Sequence, residues 1–283
     1  MTIDTILDAA AIQAFQRNGA VLLRGLVSDA WRAKLAAVCA RGQDLATDPG
    51  THYTDPTFGL AVAKPVRSET FVKDNNWKVD DDMRDFIQQS PLADVARLAM
   101  GSREVRLYED LIICKGAGSD QPTPWHQDDG QWPMLGLQMC GIWFCLEEAT
   151  QATGSLRFAA GSHRGPLYNP YMPPGREADR ENFEGGELPD VDADPARFPV
   201  IGIDVAPGDA ILFHPRVLHA AYGSSRTHQR RSFSFRFVGD DVRWKSRRNV
   251  YYRYLLDIPL KDGDRLADPW FPLLRGAETG ATV

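Results

Sequence analysis

Arg230-Arg231-Ser232-Phe233-Ser234-Phe235-Arg236-Phe237 alternates polar and apolar from Ser232 onward, and a period of two is the signature of a strand. Arg231, Phe233, Phe235 and Phe237 share one face, whereas Arg230, Ser232, Ser234 and Arg236 share the other. If the phenylalanine face packs under helices, the polar face lines the inside of a barrel. Further short runs rich in Val, Ile, Phe and Trp stand at 104–115, 140–148, 155–160, 200–205 and 209–214, separated by Gly and Pro turns.

Helical patterns come before these runs. Residues 8–18 read as an amphipathic helix with Asp8 as cap, Ile12 and Phe15 on one face, and Gly19 as stop. A strand at 20–25 follows. Ser28-Asp29 then caps a helix of about 30–46 that carries Trp31, Leu35 and Val38 on one side. Asp80-Asp81-Asp82 opens a third helix with Met83, Phe86 and Ile87, and Pro91 opens a fourth that ends before Gly101. The acid run suits the positive end of a helix dipole and needs no metal. Residues 47–79, rich in Pro, Asp, Thr and Asn, carry no firm assignment.

Helices first and strands after indicate a mainly β chain with added helices, an antiparallel barrel or jelly roll. One domain is expected over residues 1–283. Its helical part covers about 1–103, the jelly-roll core about 104–240, and a C-terminal extension 241–283. Residues 165–199, with many acids, prolines and glycines, form the longest connection and read as a lid over the site.

Composition narrows the function. The 32 basic and 38 acidic residues give a formal charge of −6, which argues against phosphate-backbone binding, so the expected partner is a small-molecule substrate and not a nucleic acid. Cys39, Cys114, Cys140 and Cys145 show no CxxC spacing and read as buried reduced thiols. No apolar stretch approaches the length of a membrane span, and the N-terminus lacks a basic segment followed by an apolar run. These features predict no membrane association and a cytoplasmic location.

Chemistry is concentrated in Pro124-Trp125-His126-Gln127-Asp128-Asp129-Gly130. In extended chain, residues i and i+2 point to the same side, so His126 and Asp128 can grip one divalent ion while Gln127 points away. Two histidines and one carboxylate on one face of an octahedron are the ligand set of non-haem Fe(II) oxygenases, so a distant histidine is needed. His52, His163 and His228 sit in polar loops or at a strand end and read as surface or structural. His214 and His219 both follow the strand 209–213, and Pro215 keeps that strand from running on between them. Spacing decides little between these two. The small residues beside His219, in Leu218-His219-Ala220-Ala221, leave room for an ion, and His214 can serve as a core histidine bonded to backbone.

Taken in order, His126-Gln127-Asp128, Gly154-Ser155-Leu156-Arg157-Phe158 with Gly161-Ser162-His163, Pro207-Gly208-Asp209 through His219, and Arg230-Arg231-Ser232 resemble the phytanoyl-CoA dioxygenase (PhyH) family of Fe(II)/2-oxoglutarate-dependent oxygenases. The resemblance runs from about Ser90 to Asp241. It implies a double-stranded β-helix, a cupin-like jelly roll, with His126, Asp128 and His219 as iron ligands. It also implies that Arg230, followed by Ser232 in an Arg-x-Ser pattern, pairs with the far carboxylate of 2-oxoglutarate, and that Lys115 and Trp143 line the cosubstrate. A bidentate arginine–carboxylate pair is the physical reason for an arginine there.

By the same resemblance, Fe(II), 2-oxoglutarate and O2 together hydroxylate a substrate C–H bond and release succinate and CO2. Asp129, Gln131 and Trp132, beside the metal motif, are the expected substrate contacts. Halogenases of this fold lack the carboxylate, so Asp128 argues against that chemistry. A rival of another class is a non-redox, cupin-like, metal-dependent isomerase or small-molecule binding protein. Oxidation of 2-oxoglutarate to succinate separates the two.

Overall fold

The alternating strand lies at the centre of the molecule, between two others. The computed structural model of the chain describes residues 3–47, 70–116, 122–169, 185–223, 229–246 and 258–276. Its helices are α1 (Ile3–Ile6), α2 (Ala9–Asn18), α3 (Asp29–Thr47), α4 (Asp81–Gln89) and α5 (Leu92–Met100). The strands run in chain order as β1 (Ala20–Leu23), β2 (Thr70–Asp74), β3 (Val105–Lys115), β4 (Thr123–His126), β5 (Met134–Leu135), β6 (Met139–Cys145) and β7 (Leu156–Ala159). They continue as β8 (Val200–Gly202), β9 (Ala210–Phe213), β10 (His219–Ala221), β11 (Arg230–Val238), β12 (Arg243–Trp244) and β13 (Leu273–Arg275).

All pairings of these strands are antiparallel. The larger sheet has the order β1-β9-β6-β11-β3-β13 with β2 also on β3, the smaller has β4-β10-β7-β8, and β12 pairs with β5. The two main sheets face each other without closing into a barrel, which is the jelly-roll arrangement expected of the sequence. Among the described residues, no helix is long and apolar enough to cross a membrane.

Register explains the division of labour between faces. Phe233 stands opposite Ile112 and Phe144, and Phe235 opposite Asp110 and Ile142. This face meets the helices: Phe86 of α4 lies 5.3 Å from Phe235 and 5.9 Å from Phe144, ring to ring. Phe86, Phe144, Phe233, Phe235 and Phe237 are all fully buried. Each contributes on the order of 2 kcal/mol by leaving water. The opposite face carries Lys115, Trp143, Ser232, Ser234 and Arg236 toward the smaller sheet. There Phe158, Ile211, Phe213 and Val217 form a second apolar cluster between the sheets.

Local chemistry ends the helices where the sequence says it should. Ala11 N donates to Asp8 Oδ1 at 2.8 Å, and Gly19 closes α2 with φ +81°. Asp80 accepts from Met83 N, and Arg41 pairs with Asp80 and Asp82, so caps and a surface ion pair account for those acids. Pro207-Gly208-Asp209 serves the fold, since Gly208 turns with φ +94° and Asp209 accepts from Gly25 N and Arg24, tying β9 to the end of β1. The cysteines are buried and free, as expected. The C-terminal extension adds β13 to the edge of β3 and packs Trp244, Ile258, Leu266 and Phe271 around Tyr108 and Trp132.

The insert at 165–199 is described at its two flanks. Its middle, 170–184, lies outside the described residues. Tyr168, Val191 and Phe198 pack with Trp125, Ala159, Leu218 and Ala220. Those four alternate with Trp125's neighbour His126, with Phe158 and with His219, so they form the outer face of the smaller sheet. The described flanks therefore clad the outside of the smaller sheet. Asp192 fastens them, accepting from Trp125 Nε1 at 2.9 Å and from both Arg157 Nη atoms at 2.8 and 3.0 Å. The Arg157 guanidinium in turn stacks on Trp125 and Tyr222. Amide hydrogen exchange checks this clasp: Asp192→Ala should raise exchange across 185–199 at least several-fold and leave β3, β6 and β11 unchanged. Exchange at 185–199 in the unsubstituted protein as fast as at a chain terminus would contradict the clasp.

Candidate metal centre

His126 ends β4 and His219 begins β10, and the register places the two directly opposite each other. Side chains across from each other in an antiparallel pair point to the same face, so the two imidazoles meet, with ring centroids 4.1 Å apart. His126 Nδ1 lies 2.8 Å from Pro124 O and His219 Nδ1 3.0 Å from Val217 O. Each Nδ1–H is thereby spent on a backbone carbonyl, which leaves each Nε2 as a lone-pair donor.

Asp128 reaches the same point by a turn instead of an extended chain. The strand stops at His126, and Asp128 has helical dihedrals (φ −72°, ψ −41°) at the head of a short 3-10 turn, Asp129–Gln131. His126 and Asp128 thus come together through a turn and not through the extended chain expected of their spacing. What re-aims the carboxylate is Pro215, whose carbonyl accepts from Asp128 N at 2.8 Å and Asp129 N at 3.2 Å. Gln127 points away, as expected, and is put to use there: its amide donates to Pro166 O and Arg216 O and accepts from Tyr168 N.

Asp128 Oδ1 stands 3.6 Å from His126 Nε2 and 3.9 Å from His219 Nε2. All three residues are buried and their ligand atoms lie within 4.8 Å of one another. Ligands about 2.1 Å from an ion and at right angles to one another sit about 3 Å apart, so the site closes around a transition ion with shifts under about 1 Å. Two neutral nitrogens and one carboxylate fit a divalent iron.

The electrostatics agree with that donor set. Burial disfavours the Asp128 anion, but Arg236 and the two imidazoles outweigh it and hold the carboxyl well below the usual range. Burial, followed by the proximity of His126, pushes His219 down to about 3, so its imidazole stays neutral at physiological pH. His214 is not in the cluster. Its main-chain N–H donates to Gly19 O, its ring accepts from Arg216 N at Nδ1 and bonds Leu137 O through Nε2, and burial pushes it to about 4. His163 binds Gln16 O and docks the end of α2, whereas His52 and His228 lie outside the described residues.

Facing this cluster from the larger sheet is a second group. Arg230 and Lys115 are register partners on β11 and β3, 3% and 5% exposed, and so share the inner face. Burial, and then the Arg230 charge, lowers Lys115 to about 8. The Arg230 guanidinium lies 5.7 Å from the Trp143 ring centroid and donates to Gly154 O. Gly154 does more than turn the chain: with φ +84°, any Cβ there would come within 2.8 Å of Arg230 Nη1. Ser232 Oγ donates to Ile113 O at 2.9 Å. Arg231 points the other way and pairs with Glu147.

Asp129, Gln131 and Trp132, the expected substrate contacts, lie in and just after the 3-10 turn. Asp129, 1% exposed, is ion-paired with Arg216 at 2.7 Å. Trp132 is buried against Tyr108, ring centroids 5.0 Å apart, within the cluster completed by the C-terminal extension. Gln131 is half-buried in the 3-10 turn. Asp129 is thus paired and Trp132 packed where the chain reverses after Asp128.

Arg236 is the member of the inner face that motif reading passed over. It lies 3.2 Å from Asp128 Oδ2 and 3.1 Å from Glu109 Oε2. Strand parity with Arg230 was the available signal.

Comparison with known proteins bears on this geometry. The profile of the family Phytanoyl-CoA dioxygenase (PhyH) matches residues 15–232. A probable phytanoyl-CoA dioxygenase of Caenorhabditis elegans is 24% identical over 249 residues, covering 84% of this chain and 77% of its own. The non-heme alpha ketoglutarate dependent carbocyclase SnoK from nogalamycin biosynthesis superposes with a TM-score of 0.74 at 19% identity, covering 97% of this chain and 98% of that one. The epimerase SnoN, solved with Fe3+, alpha ketoglutarate and nogalamycin RO, gives 0.69 at 21% identity over 95% and 100%. These structural likenesses establish the fold. With the profile match spanning most of its length, the chain belongs to the phytanoyl-CoA dioxygenase family of Fe(II)/2-oxoglutarate-dependent oxygenases.

Proposed function

We propose that this protein uses Fe(II), 2-oxoglutarate and O2 to oxidise a C–H bond of a small-molecule substrate, with hydroxylation as the outcome and succinate and CO2 as co-products. One observation carries the reading: a buried His–Asp–His cluster on one sheet faces a buried Arg–Lys pair on the other. A dicarboxylate that chelates a metal at one end needs cations at its other end, and this arrangement offers both. The carbocyclase and the epimerase share the fold, so fold alone does not choose among oxidative outcomes, and product analysis belongs to the test.

In this reading His126 Nε2, His219 Nε2 and one Asp128 oxygen hold the iron. Arg230 forks onto the far carboxylate of 2-oxoglutarate, Lys115 adds a second charge, and Trp143 supports the guanidinium from below. Ser232 tethers β11 to β3 beside them. The bound iron supplies the oxidising power; the chain binds, orients and excludes water. The enclosing apolar residues Phe158 and Phe213, whose rings lie 6.0 and 5.2 Å from that of His219, keep the histidine dry. Asp129, Gln131 and Trp132 act on the substrate side only through the shape of the turn they hold.

Replacing ligands tests the metal assignment. His219→Ala should lower iron occupancy at least tenfold, whereas His214→Ala, which loses only the ring's bonds to Leu137 O and Arg216 N, should retain iron by metal analysis. The reverse pattern would invert the assignment.

Anaerobic titration with 2-oxoglutarate, followed by the metal-to-ligand absorption band, tests the cosubstrate residues. Arg230→Ala leaves a buried carboxylate without its partner and should weaken binding by about 2–5 kcal/mol, roughly 30- to several thousand-fold. Arg231→Ala should change it little. Loss confined to Arg231→Ala would reverse the face assignment of β11.

The same titration across pH tests Lys115. Its lowered value means that the free protein loses this positive charge as pH rises through about 8. A dianion favours the protonated form, so 2-oxoglutarate affinity should fall above that pH, by up to about tenfold per unit. Lys115→Arg, which cannot deprotonate, should flatten the profile, and an unchanged slope in that variant would exclude Lys115 as the source.

A further inference from the structure

The two oxygens of Asp128 face different neighbours. Oδ1 looks toward His126 Nε2 and His219 Nε2 at 3.6 and 3.9 Å, whereas Oδ2 lies 3.2 Å from Arg236 Nη2 and 3.3 Å from Arg236 Nε. A carboxylate can give a metal one oxygen or both. We propose that Arg236 is a positioning residue that keeps Asp128 a one-oxygen ligand by holding Oδ2 away from the ion. The proposal rests on the iron and 2-oxoglutarate reading above.

The coordination count shows why this matters. An octahedral ion has six positions, and two imidazoles with one carboxylate oxygen leave three. A 2-oxo acid takes two of these through its keto and carboxylate oxygens, and O2 needs the last. If Asp128 swung to give both oxygens, the count would fall short by one and the cosubstrate chelate would compete with a protein ligand.

Arg236 is built to resist that swing. It sits in the middle of the larger sheet, with Glu109 opposite on β3 and Gly141 opposite on β6. Its Nη1 lies 3.1 Å from Glu109 Oε2, and its guanidinium stands 5.7 Å from the Trp132 ring centroid. Gly141 keeps the adjacent strand slim: a Cβ there would come within 2.5 Å of the Phe213 ring, which packs beside His219. On the other side, Pro215 O fixes the Asp128 backbone. The carboxylate is thus held at both ends, and rotation about its own side-chain bonds is the freedom that Arg236 removes.

A bland alternative is that Arg236 only neutralises buried Glu109, and a double variant separates the two. Wild type, Arg236→Gln, Arg236→Lys and the double variant Glu109→Gln/Arg236→Gln are loaded anaerobically with Fe(II) and titrated with 2-oxoglutarate. Iron affinity, the position of the metal-to-ligand band and thermal stability are read alongside. Positioning predicts iron affinity within about tenfold of wild type throughout, since the ligands are untouched. It predicts at least a tenfold loss of 2-oxoglutarate affinity with a displaced band in Arg236→Gln, and a loss of about threefold in Arg236→Lys, which offers a single ammonium to Oδ2. In the double variant stability should recover, because Glu109 no longer carries a charge to be neutralised, while the cosubstrate defect persists.

Wild-type affinity and band in the double variant would overturn the proposal and leave the iron and 2-oxoglutarate reading intact. If Arg236→Gln does not fold, the double variant and Arg236→Lys decide by the same criteria, and wild-type behaviour in both overturns it. Absence of any 2-oxoglutarate-dependent band in the wild-type Fe(II) protein would overturn both the reading and the proposal.

Discussion

The structure depends on holding ionisable groups in the dry space between two sheets. His126, Asp128 and His219 come from one side and Lys115, Glu109, Arg230 and Arg236 from the other, and each is buried or nearly so. A buried charge without a partner costs several kcal/mol, and a partner that drifts restores that cost. The frame must therefore be stiff where it holds them. Stiffness comes from the opposite side of the same strands, where Phe144, Phe233, Phe235 and Phe237 lock β6 and β11 against Phe86 of α4. The aromatic core and the charged site are two faces of one pairing pattern.

That pattern ties stability to function through register. A slip of one residue in β11 would carry Arg230, Ser232 and Arg236 to the helix side and put three phenylalanines between the sheets. Pairing of β11 with both β3 and β6 fixes the register twice over, and the Arg231–Glu147 ion pair pins the strand's entry from outside. Arg231 is thus useful because it faces away from the site. The smaller sheet has less redundancy: β10 is three residues long and His219 is its first. Backbone bonds to Pro124 O, Val217 O and Pro215 O compensate there by fixing each ligand individually.

Much of this was legible in the sequence, for identifiable reasons. Asp8, Gly19, Asp80 and Gly101 mark helix ends through interactions within a turn, so the local pattern suffices. The parity of 230–237 was readable because six successive residues, 232–237, alternate polar and apolar. By contrast β4, β5, β10, β12 and β13 have two to four residues, too few for a period to show, and β4 carries Pro124. The pairing of Asp129 and the packing of Trp132 were not legible because the chain reverses after Asp128, and that reversal is set by Pro215, far along the sequence. The insert at 165–199 has the composition of a free loop, yet Val191 and Phe198 are buried and Asp192 reaches Trp125 and Arg157. Gly154 turns the chain with a positive φ, and its contact with the guanidinium exists only because Arg230 lies against it. In each case the missing information was a partner distant in sequence.

Charge balance gives the last link between the frame and the chemistry proposed for it. Asp128 and Glu109 carry one negative charge each, and Arg230, Lys115 and Arg236 one positive each when Lys115 is protonated, so these groups alone sum to +1. A divalent iron raises the sum to +3, and an interior with so much uncompensated charge is unfavourable at the low effective dielectric between two apolar-backed sheets. Lys115 already registers the strain, its value lowered by burial and by Arg230 beside it. The ligand that relieves it has to be a dianion, long enough to join the metal cluster on one sheet to the cation pair on the other. A neutral sugar or an amine would leave the excess in place, and a monocarboxylate would reach only one of its two sources. On the function proposed, these charges would favour a dianionic cosubstrate, and Gly154 and Trp143, which lie against Arg230, would lower the ordering cost of binding it.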